Sequence, residues 1–94
     1  MLIMDWKQFE KVSKAMGDQN RLRILEAISK KKGVLECAAI VQKLDLAQPS
    51  ISHHIKTLVE AGLIEPEKSG RNYTYILNTE LLDKYIKKLK TIAG

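Results

Sequence analysis

Two adjacent histidines, His53 and His54, and one cysteine, Cys37, are the side chains best suited to metal binding or nucleophilic chemistry. A helical metal site needs ligands on one face, three or four residues apart. This pair is adjacent, within "QPSISHHIKTLVEAGLI" (48–64), and the chain has no third histidine. On a helix the two rings diverge by about 100°, so no metal is expected there. A nucleophile–base pair would have to join Cys37 to His53. The apolar spacing puts Cys37 inside and His53 outside, so no enzyme is expected. Cys37 reads as a packing residue, and no cofactor is implied.

The helical wheel says what His53 faces instead. With Ile51 at zero, Ile55 lies near about 40° and Leu58 near about 340°, which defines the core side. His53 falls at about 200°, Lys56 at about 140°, Ser52 at about 100° and Ser50 at about 260°, while His54, at about 300°, leans toward the core edge. With Gln48 at the helix start, the outward face offers short polar groups and a cation. Such a set suits base edges and phosphate oxygens in a major groove. It also suits an ordinary solvated helix, so the neighbouring elements must decide.

Those elements read as follows. Trp6, Phe9, Val12 and Met16 have helical spacing over 5–16. Gly17 ends that helix and Asp18 caps the next, "QNRLRILEAIS", with Leu22, Leu25 and Ile28 as its inner stripe and Ile24 and Ala27 beside it. Val34 fits a short strand. A third helix, about 36–44, buries Cys37, Ile40, Val41 and Leu44. "DLA" makes a tight connection, Pro49 suits the first turn of the following helix, and Gly62 closes it. Tyr73, Tyr75 and Leu77 alternate after "SGRN", which marks a hairpin tip with Arg71 in it. Pro66 confines its strand to an edge. Asn78 or Thr79 caps a last helix, 79–92, with Leu81, Leu82, Tyr85, Ile86, Leu89 and Ile92 on one side. Met16 reads as core, Met1 and Met4 as a mobile end. A helix, a tight turn and a second helix followed by a hairpin favour the groove reading. The fold class is mainly α with a small β-hairpin wing (α+β), a winged helix-turn-helix.

Composition sets the outer bounds. The 94 residues predict one domain, 1–94. The net charge of +5 favours a polyanion such as nucleic acid. A single cysteine leaves no intramolecular disulfide and suits a reducing compartment. No run approaches the ~18 apolar residues of a membrane span, and "MLIMDWKQFEK" gains charge too early for a secretion signal. A cytoplasmic protein without membrane contact is expected.

"AMGDQNRLRILEAI", "LDLAQPSISHHIKTLVEAGLI" and "SGRNYTYIL" together resemble the ArsR/SmtB family of winged helix-turn-helix repressors, over about residues 16–77. The resemblance implies a homodimeric repressor on double-stranded DNA, with the terminal helices 5–16 and 79–92 as the interface. Trp6, Phe9, Val12, Leu82, Tyr85, Ile86 and Leu89 are then the expected dimer contacts. By match to the family's recognition helix, Gln48, Ser52 and His53 contact DNA; Ser50 and Lys56 follow on geometry, and Arg71 matches the wing-tip arginine. Family members often release DNA on binding a metal or metalloid. One familiar site is a C-x-C pair in the third helix, which falls here on Glu36 and Ala38 with Cys37 between them. The other uses Asp and His pairs in the last helix, which here has Glu80 and Asp83 but no histidine. Both sites are expected to be missing, and the sequence names no inducing ligand. Glu65 and Glu67 in the wing arm leave Arg71 and Lys68 as its useful charges. These acids also motivate the alternative, a winged-helix module that binds protein. Ala47 stands where a serine cap is frequent.

Overall fold

The computed structural model describes residues 4–44 and 47–94, with the side chains of Gln48 and Ser69 outside that description. Met1 and most of the tight "DLA" connection therefore lie outside the described residues, as does the side chain of Gln48 as a DNA contact.

The elements run α1 (Trp6–Ala15), α2 (Gln19–Lys30), β1 (Val34–Glu36), α3 (Cys37–Lys43), α4 (Gln48–Glu60), β2 (Ile64–Ser69), β3 (Asn72–Leu77) and α5 (Thr79–Ala93). Asp5 caps α1 by accepting the Gln8 N–H at 2.7 Å. Asp18 caps α2 by accepting from the N–H groups of Asn20 and Arg21. Asn78 caps α5 through Leu81 N–H, and its amide also donates to Gly62 O at 3.0 Å. That second bond ties the end of α4 to the start of α5. α4 opens on Ala47 without a side-chain cap. It ends in a full Schellman turn: Gly62, at φ +82°, donates to Val59 O, and Leu63 donates to Leu58 O.

β2 and β3 form the hairpin, paired from Ile64↔Leu77 to Ser69↔Asn72. Only Gly70 and Arg71 lie between the strands, and Gly70 takes φ +63°, as a two-residue turn with glycine first requires. Pro66 is on β2, an edge strand, because the sheet order is β1-β3-β2. β1 pairs antiparallel with β3, from Val34↔Ile76 to Glu36↔Thr74, so the short strand read from Val34 belongs to the same sheet as the wing.

One core joins every helix to the base of the sheet. Val12, Ile24, Ile28, Ile40, Leu58 and Leu63 are wholly buried in it. Three expectations change. Leu22 is 44 % exposed while Ile24 is 0 %; α2 points Ile24, Leu25 and Ile28 inward, and Leu22 lies about 200° before Ile24, on the outer face. Met4 is buried in the core rather than part of a loose end. Val12 is sealed inside its own chain and presents no surface to a partner. Cys37 is half-buried.

α1 and α5 lie side by side. Phe9 stacks on Tyr85 with ring centroids 4.6 Å apart, Trp6 meets Phe9 edge-on at 5.3 Å, and Ser13 Oγ lies 2.8 Å from Tyr85 Oη. Beyond this contact the apolar stripe continues uncovered: Trp6, Ile86, Leu89 and Ile92 are all exposed. The radius of gyration, 13.6 Å, exceeds the about 12.4 Å of a compact domain of this length.

Candidate nucleic-acid interface

α4 takes its orientation from three apolar anchors. Ile51, Ile55 and Leu58 are 1 %, 6 % and 0 % exposed. A helix pinned at those positions must turn Ser52, His53 and Lys56 away from the core, and these are exposed, with Ser50 beside them. The hydroxyl of Thr57 is turned back onto the helix, donating to His53 O at 3.0 Å. The structure thus brings Ser50, Ser52, His53 and Lys56 together on one surface. Arg71 is separate from them, exposed at the hairpin tip. Lys68 lies over the Tyr73 ring at 5.9 Å, and Glu65 and Glu67 are exposed along the wing arm.

The histidines diverge as the wheel predicts: their centroids are 6.0 Å apart, tilted by 55°. His54 turns inward to Arg21, whose Nη1 lies 3.2 Å from His54 Nδ1. A guanidinium only donates, so in this contact Nδ1 is the acceptor. The same guanidinium donates from Nε to Ala15 O at 2.6 Å and from Nη2 to Lys14 O at 3.1 Å. It also stands 4.0 Å from Asp18 Oδ2. Arg21 therefore fastens the last carbonyls of α1 and the cap of α2 to the middle of α4. The backbone N–H of Arg21 is the largest influence holding the Asp18 carboxyl below its ordinary range; partial desolvation works against it, and the Asn20 N–H adds to it. Sequence reasoning missed this clamp. The D-x-x-R spacing of Asp18 and Arg21 is the signal that marks it, although nothing in the spacing points to His54.

Among the described residues no three His, Cys, Asp or Glu side chains gather as a metal site. Glu80 pairs with Lys84 at 3.4 Å on α5. No helix there is long and apolar enough to cross a membrane.

A family model described as a helix-turn-helix domain matches residues 16–67. The arsenical resistance operon repressor of Staphylococcus aureus is 34 % identical over 95 % of this chain and 84 % of its own length. A crystal structure of an ArsR family transcriptional regulator superposes with a TM-score of 0.84 at 24 % identity, over 98 % of this chain and 93 % of the other. The homodimeric winged helix-turn-helix DNA-binding domain of a Mycobacterium bovis protein, solved in solution, has a TM-score of 0.73 at 21 % identity, over 99 % and 90 % of the two chains. The last two likenesses are of fold.

Proposed function

This chain belongs to the ArsR/SmtB family of winged helix-turn-helix transcriptional regulators, and from that premise we propose that it is a homodimeric repressor reading an inverted-repeat operator. Each protomer lays α4 in the major groove, with Ser52, His53 and Gln48 as the base or backbone contacts and Ser50 and Lys56 beside them. Arg71 reaches toward the minor groove or its phosphates. The observation that carries the reading is the exposed face of Ser50, Ser52, His53 and Lys56, with His53 nearly opposite three buried anchors.

The dimer forms through α1 and α5. Trp6, Ile86 and Leu89 supply its exposed apolar contacts, with the half-buried Phe9, Leu82 and Tyr85 behind them. Two-fold symmetry sets the half-sites about one helical turn (~34 Å) or a multiple of it apart. The repressor works in the cytoplasm and without either familiar family metal site, since Glu36 and Ala38 replace the cysteine pair and α5 has no histidine. Metal bound stoichiometrically to the purified protein would overturn that part.

The test begins with a duplex selected by the protein from a random-sequence pool. Ser52→Ala and His53→Ala should each weaken binding to that duplex by about 1–3 kcal/mol, with the dimer intact by sedimentation. Unchanged affinity in both variants would refute the placement of α4.

A further inference from the structure

α1 has a second face that dimerisation does not use. Lys7, Lys11 and Lys14 follow one another at spacings of four and three, which puts them in a row along the helix. All three are exposed. Between this row and α4 lies a cleft of about 380 Å³ whose walls include Lys11, Lys14, Arg21, His53, Thr57 and Glu60. His53 thus belongs both to the cleft and to the exposed face of α4, so the two surfaces are continuous. Three cations meet one carboxylate there. Arg21 is already committed to carbonyl oxygens and His54. Lys11 and Lys14 form no ion pair among the described residues, whose ion pairs are Arg21–Asp18, Lys30–Glu26 and Lys84–Glu80.

We propose that Lys11 and Lys14 hold the sugar–phosphate backbone beside the groove that α4 enters, so that α1 grips operator DNA as well as dimerising. The inference rests on the reading of α4 as the groove-entering helix. Its occupant is duplex DNA rather than a free anion for two reasons. The cleft is open, and no buried side-chain polar atom among the described residues lacks a partner, so nothing there is organised to hold one small ion. Lysine ammonium groups on flexible stems act as point charges, which suits a polyanion that sheds counterions on binding. Contacts of this kind position the protein on the duplex and carry no sequence information.

The test compares the wild type with a Lys11→Gln/Lys14→Gln variant on the selected operator and on an unrelated duplex, across a salt series. Each lost phosphate contact lowers the slope of log K against log[salt] by about 0.9; the dimer carries two copies of each lysine, so the double variant should lose about 3.6. Affinity should fall by the same factor on both duplexes. Lys87→Gln/Lys90→Gln, on the exposed side of α5, should leave the slope unchanged. If the double variant keeps the wild-type slope while His53→Ala still weakens operator binding, the α1 grip is refuted and the role of α4 stands. Saturable amide shifts at Lys11 and Lys14 with inorganic phosphate at unchanged slope would also refute it, in favour of a small-anion site. A wild type that binds no duplex would remove the function and the grip together.

Discussion

Replacing Arg21 tests whether α4 is held at a fixed angle. Its side chain is 15 % exposed and serves three partners from one guanidinium: Ala15 O, Lys14 O and His54 Nδ1. A hydrogen bond from a charged donor contributes about 1.5–3 kcal/mol net. The Lys14 bond is exposed, so water replaces much of it; the Ala15 and His54 bonds are part-buried. Counting the Ala15 bond in full and the others at a fraction gives about 2–4 kcal/mol for Arg21→Ala. In a domain of this size each kcal/mol moves Tm by about 4–8 °C, so a fall of about 10 °C or more is expected. Arg21→Lys keeps the charge but loses the fork, and should recover less than half of that fall. The assay is thermal unfolding by circular dichroism at one protein concentration, because the proposed dimer would make Tm concentration-dependent. A double-mutant cycle with His54→Ala should show a coupling of at least about 0.5 kcal/mol. A fall below about 3 °C for Arg21→Ala, against the 4–8 °C per kcal/mol scale, or zero coupling to His54, would refute the clamp.

The two apolar faces of α1 should separate by mutation: Val12→Ala should lower fold stability by about 2 kcal/mol, whereas Trp6→Ala and Leu89→Ala should weaken self-association in sedimentation and leave the helical signal of each protomer intact. Asp18 titrates below its ordinary 3.8 in the folded chain, so its capping contribution is complete above that value and is lost as pH falls through the lowered one. Asp18→Asn keeps a capping side chain without the titration; its unfolding midpoint should therefore fall less steeply than the wild type's below pH 3.8, and parallel acid limbs would contradict the assignment. Arg71→Ala should lower the salt slope of DNA binding by about 1.8, one contact from each protomer of the proposed dimer; an unchanged slope would mean that the hairpin tip does not reach the phosphates.

The outward face of α4 was legible because Ile51, Ile55 and Leu58 leave a helix one way to lie. The hairpin was legible because glycine stands where the turn needs positive φ. Other features were not. α2 carries Leu22, Ile24, Leu25, Ala27 and Ile28, more apolar residues than one face holds, and only its neighbours select which of them turn inward. Periodicity marked Val12 as apolar-facing, but a stripe shared between a chain's own core and a partner looks the same from either side. β1 is three residues long, too short for alternation to announce its pairing with β3. The Arg21–His54 contact joins residues 33 apart in sequence, and no local pattern encodes it.

That pairing of β1 with β3 bears on how DNA is chosen. A hairpin anchored only at its feet would swing to suit whatever duplex it met. In this one the lower part of β3, Thr74–Ile76, is also paired to the segment between α2 and α3, and the Leu77 N–H adds a bond of 2.8 Å to Gly33 O. If α4 and the hairpin tip both meet the duplex as proposed, this support limits how far the wing can swing, and the duplex has to supply more of the adjustment. On that reading, tracts that twist or narrow at little elastic cost between the helix and the hairpin tip are expected to bind more tightly, even at base pairs that no side chain touches.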